Sequence, residues 1–565
     1  MSHLGLWLAA GATPAPSASP SAAAANFGAG IFNHSFLLSL IVWTPLAAGL
    51  IMAMIPNPRG RWNRHFTIAA FWTNVAVLTL SLVAYSQFQQ FASGLSFEER
   101  LPWLPALGVT YHLGLDGISA SVLMLNAIVG LVAVVASSGV AVRVRSYWFL
   151  ILVTESALNG AVVARDLFVF ILFWSAMIAP LALLLRGWGG PGGRLAAGRL
   201  AAYWGAGAAL LLAAGLALWA STGATSFDFN RILQFAPGSR AQLVVGALFL
   251  LAAASRLPLI PFHRWALLAL AEAPPGVAIL IAGSGMRLGG YVLLRFLAQT
   301  DHAGALLLAP ILAALAGATV IWAALLAFGT SDVRRLGAAL VLIPGAITAL
   351  GVAGLSPLSL EGAGFSLFAG GMAAALMVAA AGTLAERAQA RDLRLVAGLA
   401  GRMPRISWLL LVASLALLGL PLSATFPADV MILLGAFRNQ PAGVFAAVFG
   451  LLLAAAAIAW LIHRVLFGAP NPEAPSPQDS TLAESWSLGI LVGALLWVGL
   501  FPLGPQLAGI PLFDPGLLNV VNASNTAVAG SFTVPAPPPH PSPSPSPSPS
   551  PSAPAAPAPS PVPSP

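Results

Sequence analysis

LAAASRLPLIPFHRWALLALAEAPPGVAILIAGSGMRLGGYVLLRF, residues 251–296, is the stretch from which the fold can be read. Two apolar runs of membrane-crossing length meet at a proline-marked interruption, with Arg256 inside the first and Arg287 inside the second. A charged side chain at the centre of a membrane helix costs at least about 2.5–3.5 kcal/mol, so a fold retains it only where it lines a polar path or faces a buried acid. Pro258 and Pro261 withdraw backbone donors directly after Arg256. The spacing therefore predicts a broken helix, and bilayer depth tolerates one only where protein or water covers the freed backbone groups. An ion path through a membrane protein fits this pattern; a soluble active site does not.

The rest of the chain agrees. Of its 565 residues 58% are hydrophobic and 7% charged, against about 25% charged in a soluble domain. Cysteine is absent, which excludes thiolate-held iron–sulfur clusters, thiolate metal sites and disulfides. The net charge of +8 does not signal nucleic-acid binding, because the basic residues fall mostly in short loops between apolar runs. All 25 residues counted as Lys or Arg are arginine. Arginine holds its proton at any relevant pH, so the chain has no lysine-type proton carrier.

The apolar runs predict an all-α polytopic membrane protein of about 14 transmembrane helices, at roughly 35–55, 66–88, 117–137, 147–164, 166–185, 200–220, 241–262, 274–297, 304–328, 334–354, 362–384, 406–436, 443–463 and 485–503. The 406–436 run is too long for one straight span, and Pro421 and Pro427 predict a second broken helix there. Seventeen arginines fall after odd-numbered spans and six after even-numbered ones. The positive-inside rule places the seventeen in the cytoplasm and both termini outside. Breaks in spans seven and twelve, five spans apart, predict a five-helix unit used twice with inverted topology, spans 4–8 and 9–13. Residues 1–34 read as a disordered Ala/Pro/Ser-rich leader and 35–503 as the transmembrane domain. Residues 504–533 read as a short extracytoplasmic segment, and 534–565 as a disordered Pro/Ser-rich tail.

Seven motifs carry a resemblance. They are HLGLDGIS (112–119), DLFVFILFWSAMIAP (166–180), RLPLIPFHRW (256–265) with Ala273-Pro274, GGYVLLRF (289–296), SDVRRLGA (331–338), ERAQARDLRLVAGL (386–399) and LGLPLSATFPADVMILLGAF (418–437). Together they resemble the antiporter-like membrane subunits of NADH-quinone oxidoreductase (respiratory complex I), most closely the subunit M or chain 4 family, within the Mrp-related proton-conducting transporters. The resemblance covers about residues 112–467. It implies proton transfer along a central hydrophilic axis: a glutamate in span five pairs with a lysine in span seven, a lysine in span eight passes protons on, and an acid or lysine in span twelve receives them. It also implies that NADH, FMN, Fe–S clusters and quinone belong to partner subunits and that this chain holds no cofactor.

The sequence departs from that pattern at the positions that matter. The span-five glutamate position is Ser175, the two lysine positions are Arg256 and Arg287, the span-eleven histidine position is Gly370, and the span-twelve glutamate position is Asp429. The family's LPDAH stretch has become Ala266-Leu267-Leu268-Ala269-Leu270. A relay group must gain and lose a proton, which arginine does not do, although it can polarise water or modulate a neighbouring acid. The scaffold is thus expected to be retained and the proton switch altered.

Each candidate also has a plainer reading. Arg256 and Arg287 are either fixed structural cations or part of an ion path. Glu155, in span four, is either a surrogate for the acid missing at Ser175 or plainly an acid near the interface or a salt-bridge partner. Asp429 is a terminal proton acceptor, a cap on the helix break, or both. His263 is a proton carrier or a loop-end histidine satisfied by backbone. Asp116 and Asp166 open spans, where acids suit a helix N-terminus. Arg334, Arg335, Arg391 and Arg394 read as topology determinants, with docking to neighbouring subunits or anionic lipid as the alternative.

The expected function is that of a multi-pass cell-membrane subunit of a complex I-type NADH-quinone oxidoreductase. It would take part in proton translocation along a path of Arg256, His263, Arg287 and Asp429, with Ser175 and Glu155 nearby. Its partners would be the other membrane subunits and the lipid bilayer. The rivals are an Mrp-type cation/proton antiporter subunit and a non-conducting structural subunit.

Overall fold

The computed structural model describes residues 36–88, 95–221, 223, 226–233, 239–299, 302–393, 395, 397–469, 478–503, 506–507, 510–511 and 516–522. The leader at 1–34, the tail at 534–565, most of 504–533 and Arg394 lie outside these residues. Among the described residues, eleven helices are long and apolar enough to cross a membrane, and Ala241–Arg256, Pro404–Leu417, Thr425–Phe437 and Glu484–Leu500 are shorter apolar helices.

In chain order, α1 is Leu37–Met54 and α2 is Asn63–Ser86. A β hairpin follows, in which β1 (Ser96–Leu104) pairs antiparallel with β2 (Val109–Leu115). The sequence reading left these residues between spans. Their turn closes at Gly108, whose φ of +69° suits glycine. Glu99 on β1 accepts from the backbone N of Leu38 at 2.8 Å, so the hairpin caps the first turn of α1.

Next come α3 (Gly117–Ala136), α4 (Val144–Val163), α5 (Leu167–Ala176), α6 (Ile178–Trp188), α7 (Gly193–Ser221) and the short α8 (Phe229–Leu233). Asp116 caps α3 in a reciprocal box with Ser119, and the Asp166 carboxylate accepts from the N–H groups of Phe168 and Val169 at the start of α5. Both acids sit where the sequence placed them. Span five is itself interrupted, with Met177 separating α5 from α6.

The break after Arg256 is present. Helix α9 (Ser239–Arg256) ends on that arginine, and α10 (Arg264–Glu272) starts beyond both prolines. Span eight is α11 (Pro275–Ile279), a π-helical turn at Leu280–Gly285, α12 (Arg287–Val292) and a second π turn at Leu293–Ala298. Such turns inside helices recur at functional sites, and nothing in the composition announced them.

The second half holds α13 (His302–Gly329), α14 (Val333–Leu340), α15 (Leu342–Gly354) and α16 (Pro357–Arg387). The break expected near Pro421 separates α17 (Pro404–Leu417) from α18 (Thr425–Phe437), and α19 (Pro441–Phe467) and α20 (Leu482–Leu500) complete the membrane set. Pro427 lies in the first turn of α18, where its missing donor costs no helix bond. The apolar stretches of span eight and of the α14–α15 span are buried throughout, whereas α7 and α19 each turn a broad apolar face outward.

Candidate ion path

Arg256 ends α9 inside an aromatic box. Its guanidinium carbon lies 3.7 Å from the centre of the Trp174 ring and 4.0 Å from that of Trp204. The second face of the box is held in turn by Trp265, packed edge-on to Trp204 at 5.2 Å. Nη2 donates to the carbonyl of Trp174 at 3.0 Å and Nη1 to the Met177 sulfur at 2.8 Å. The interruption of span five at Met177 thus supplies two acceptors for a cation that has no carboxylate neighbour among the described residues. A desolvated cation–π contact is worth about 2 kcal/mol, so two rings and two hydrogen bonds offset much of the burial cost. Ser175, one residue along, donates to its own helix at the Ile171 carbonyl, 2.8 Å away, not to Arg256.

Arg287 contrasts with it. The side chain is fully buried, and none of its three guanidinium nitrogens has a hydrogen-bond partner among the described residues. Two glycines on neighbouring helices border it. A Cβ on Gly370 of α16 would lie 3.4 Å from Nη1, and one on Gly345 of α15 3.6 Å from Nη2. Gly370 is the position where the resemblance led one to expect histidine, so the larger cation and the smaller residue share one space. Leu257 bridges the two arginines: it follows Arg256 and packs against both Gly289, two residues past Arg287, and Gly345.

His263 precedes α10. Its Nε2 accepts from the indole N–H of Trp322 at 3.0 Å, and its Nδ1 has no partner among the described residues. With Nε2 accepting, the neutral ring carries its proton on Nδ1. Beside it lies a cavity of about 380 Å³ lined by Tyr203, Ile260, Pro261, His263, Arg264 and Trp322. Thr319 of α13 accepts from the Ile260 N–H at 3.0 Å, which satisfies one backbone group freed by the break.

Asp429 lies in α18 with its carboxylate against Gly419, at the second break; Gly419 has φ +63°, and a Cβ there would collide with Oδ2. The α18 helix packs on α15 and α16, the helices that make room for Arg287: Ile432 meets Gly351 and Gly362. Glu155 is elsewhere. Its Oε2 accepts from Asn74 of α2 at 2.9 Å and its Oε1 faces Gly130 of α3. Neither contact leads toward Arg256, so the structure groups Arg256 with Arg287, places His263 and Asp429 at the two breaks, and sets Glu155 apart.

Sequence reasoning missed a charge cluster at the hairpin end of the bundle. Asp116 accepts from Arg165 Nη1 at 3.1 Å and from Arg295 Nη1 and Nη2 at 2.5 and 2.8 Å. Nearby, Asp228 accepts from Arg100 at 2.5 Å and lies 2.8 Å from His112 Nδ1. Arg165 and Arg295 are two of the six arginines counted as loop charges after even-numbered spans, and both are buried. At the other end Arg391 pairs with Glu272 at 3.2 Å and Arg334 with Glu386 at 2.7 Å, so these two arginines tie connections together.

The family model described as NADH:quinone oxidoreductase/Mrp antiporter, TM, matches residues 164–454. Subunit M of the F(420)H(2) dehydrogenase of Methanosarcina mazei is 30% identical over 443 residues, 76% of this chain and 89% of that one. A chain in the structure of respiratory complex I from Thermus thermophilus with bound NADH superposes with a TM-score of 0.77 at 26% identity, covering 87% of this chain and all of that one. A chain of the Mrp complex from Dietzia sp. DQ12-45-1b gives a TM-score of 0.76 at 19% identity, covering 88% and 98% of the two chains, which is a likeness of fold alone.

Proposed function

Because the chain belongs to the NADH:quinone oxidoreductase/Mrp antiporter transmembrane family, as an antiporter-like membrane subunit of the subunit M or chain 4 kind, we propose that it works in a complex I-type assembly and takes part in proton translocation coupled to electron transport. Its neighbours would be the other membrane subunits and lipid, and redox groups would sit in partner chains. The M. mazei relative is part of an F(420)H(2) dehydrogenase, so the electron donor is left open. The eleven long helices, with α9–α10, α17–α18 and α20 each counted as one span, support fourteen spans within residues 35–503. The arginine bias supports termini on the extracytoplasmic side, and the two breaks support inverted units at spans 4–8 and 9–13.

One observation carries the reading: two fully buried arginines, separated by Leu257, stand beside the break of span seven without a carboxylate partner among the described residues. A permanent cation with free donors orients water around it and holds off other cations. In this row Arg256 and Arg287 would polarise the path, and proton exchange would fall to groups that titrate, His263 at the first break and Asp429 at the second. The test is Asp429→Asn in the intact complex, with protons moved per electron measured in sealed vesicles. A fall is expected, and an unchanged ratio would remove Asp429 from the path.

The closed packing of Arg256 favours a second reading, a subunit that spaces its neighbours without conducting. Its two terminal nitrogens are already taken, and Ser175 bonds within its own helix. Ser175→Glu combined with Arg256→Lys and Arg287→Lys would discriminate. A new proton leak or a gain in pumping would point to a closed native path. Recovery of the tagged chain from native membranes, alone or with Mrp-type companions, would favour the antiporter reading instead.

A further inference from the structure

Glu155 lies outside the arginine row, and its surroundings repeat a pattern of their own. Two contacts fix the antiparallel register of α3 and α4. Ser137 Oγ lies 2.7 Å from the Tyr147 hydroxyl beside the connection, and further along Gly130 faces Glu155. Continued by one turn, that register brings Asn126 opposite Asn159. On α2, which supplies Asn74 to the same point, Ser81 lies two turns further in the same direction. All three steps lead toward the end of the bundle that carries the β hairpin. In the opposite direction the next turns hold Ala70, Val134, Ile151 and Leu152, all buried and apolar.

Asn126, Asn159, Glu155 and Ser81 are each at most 5% exposed. Even so, both amide atoms of Asn126, Oδ1 of Asn159, Oε1 of Glu155 and Oγ of Ser81 have no hydrogen-bond partner among the described residues. Buried polar atoms in proteins are nearly always satisfied by protein or by ordered water. Five such atoms, carried at one-turn and two-turn steps on three neighbouring helices, give ordered water the polar partners it needs. A carboxyl at the inner end of a wet seam is in proton exchange with the compartment at its mouth, whereas apolar turns block the other side.

We propose that Glu155 is the blind end of a water-filled seam between α2, α3 and α4, wetted from the hairpin side and binding a proton there, apart from the row formed by Arg256 and Arg287. Gly130 is part of the construction. A Cβ there would lie 2.8 Å from Asn74 Oδ1 and 3.1 Å from Glu155 Oε1, so only glycine leaves the carboxyl and the amide free to face the seam. The seam rests on the proposed function only for the name of its compartment, the extracytoplasmic one in the orientation given above.

The chain has no native cysteine, so single thiols report without background. Ser81→Cys, Asn126→Cys and Asn159→Cys would be made in the intact complex, with Val129→Cys, fully buried on α3, as the dry control. Silver ion is added to one face of sealed vesicles, and the remaining thiol is counted by alkylating the denatured, tagged chain. From the hairpin face, Ser81→Cys and Asn126→Cys are expected to react at least roughly tenfold faster than the control, because an ionic reagent does not reach dry protein at bilayer depth. Ser81→Cys changes one atom and keeps the outcome readable if an asparagine variant fails to assemble. Rates no faster than the control from that face, or faster reaction from the opposite face, would overturn the proposal. For the carboxyl, Glu155→Gln should remove a deuterium-sensitive carboxylic acid band from the infrared spectrum of the complex; a spectrum identical to the parent's would overturn the protonation claim. Neither readout depends on pumping through Asp429, so the two proposals fail separately.

Discussion

Arg287 and Arg295 sit two turns apart on one span, both buried, and their surroundings are opposite. Arg295 makes two hydrogen bonds to Asp116, at 2.5 and 2.8 Å, and two more to the Tyr291 hydroxyl and Gln299 at 3.2 and 3.3 Å. Arg287 has none among the described residues. The same side chain is therefore a bolt in one place and an unneutralised charge in the other. Burial alone does not separate the two roles; the presence of an acid does. The paired arginine marks the hairpin end, where α3, the α4–α5 connection and span eight are fastened together. The bare one marks the interior between α12, α15 and α16, where no described residue offers its guanidinium a hydrogen bond.

The largest effect should come from the bolt. Asp116→Asn keeps the α3 cap, since asparagine caps as well as aspartate, but it leaves the Arg165 and Arg295 charges uncompensated. Breaking a buried pair from one side costs about 3–5 kcal/mol. The expected outcome is a sharp fall in the amount of assembled subunit and in the thermal midpoint of the purified complex. A midpoint within a degree or two of the parent's would mean that solvent reaches the cluster, and the contrast with Arg287 would collapse.

The bare charge should respond with the opposite sign. Arg287→Met keeps a long side chain in the space between Gly345 and Gly370 and removes the guanidinium. An unsatisfied buried polar group costs about 1–3 kcal/mol, more when charged, so the variant is expected to raise the thermal midpoint while lowering protons moved per electron. A variant that is destabilised would show that Arg287 has structural partners after all. One that is more stable and still pumps fully would take Arg287 out of the path.

Much of this was legible beforehand, and the reason is physical. Helix length, apolarity and proline position are local properties, so the spans, both breaks and the caps at Asp116 and Asp166 could be placed from the chain alone. Partners are not local. Arg165 and Arg295 looked like loop charges because the acid they share lies in a different part of the sequence, before span three. Glu155 had two readings, a stand-in for the acid missing at Ser175 or a plainer structural acid, and the chain alone could not choose between them, because its face on α4 is set by helix rotation, which turns it to Asn74. The π turns around Arg287 depend on packing against wholly buried neighbours, and Gly-rich apolar sequence does not distinguish them from ordinary helix. The hairpin was hidden by its position between two strong membrane signals.

The smallest effect serves as the calibration. Arg387 and Glu484 join the end of α16 to the start of α20 by two bonds, Nε to Oε2 at 3.0 Å and Nη2 to Oε1 at 2.7 Å. This is nearly the two-bond geometry of Arg295 with Asp116, and the main difference is exposure: 27% and 29% for these side chains against 6% and 16% for the buried pair. Solvent and salt weaken a pair at the surface, and such pairs are worth about 0–1 kcal/mol. Arg387→Gln is expected to lower the thermal midpoint slightly at low ionic strength and to have no measurable effect at about 1 M salt, where the screening length falls to about 3 Å. The loss caused by Asp116→Asn should persist at both ionic strengths. If it too vanished in high salt, the hairpin cluster would be a surface feature, and the difference between Arg295 and Arg287 would come from access to solvent and not from the acid.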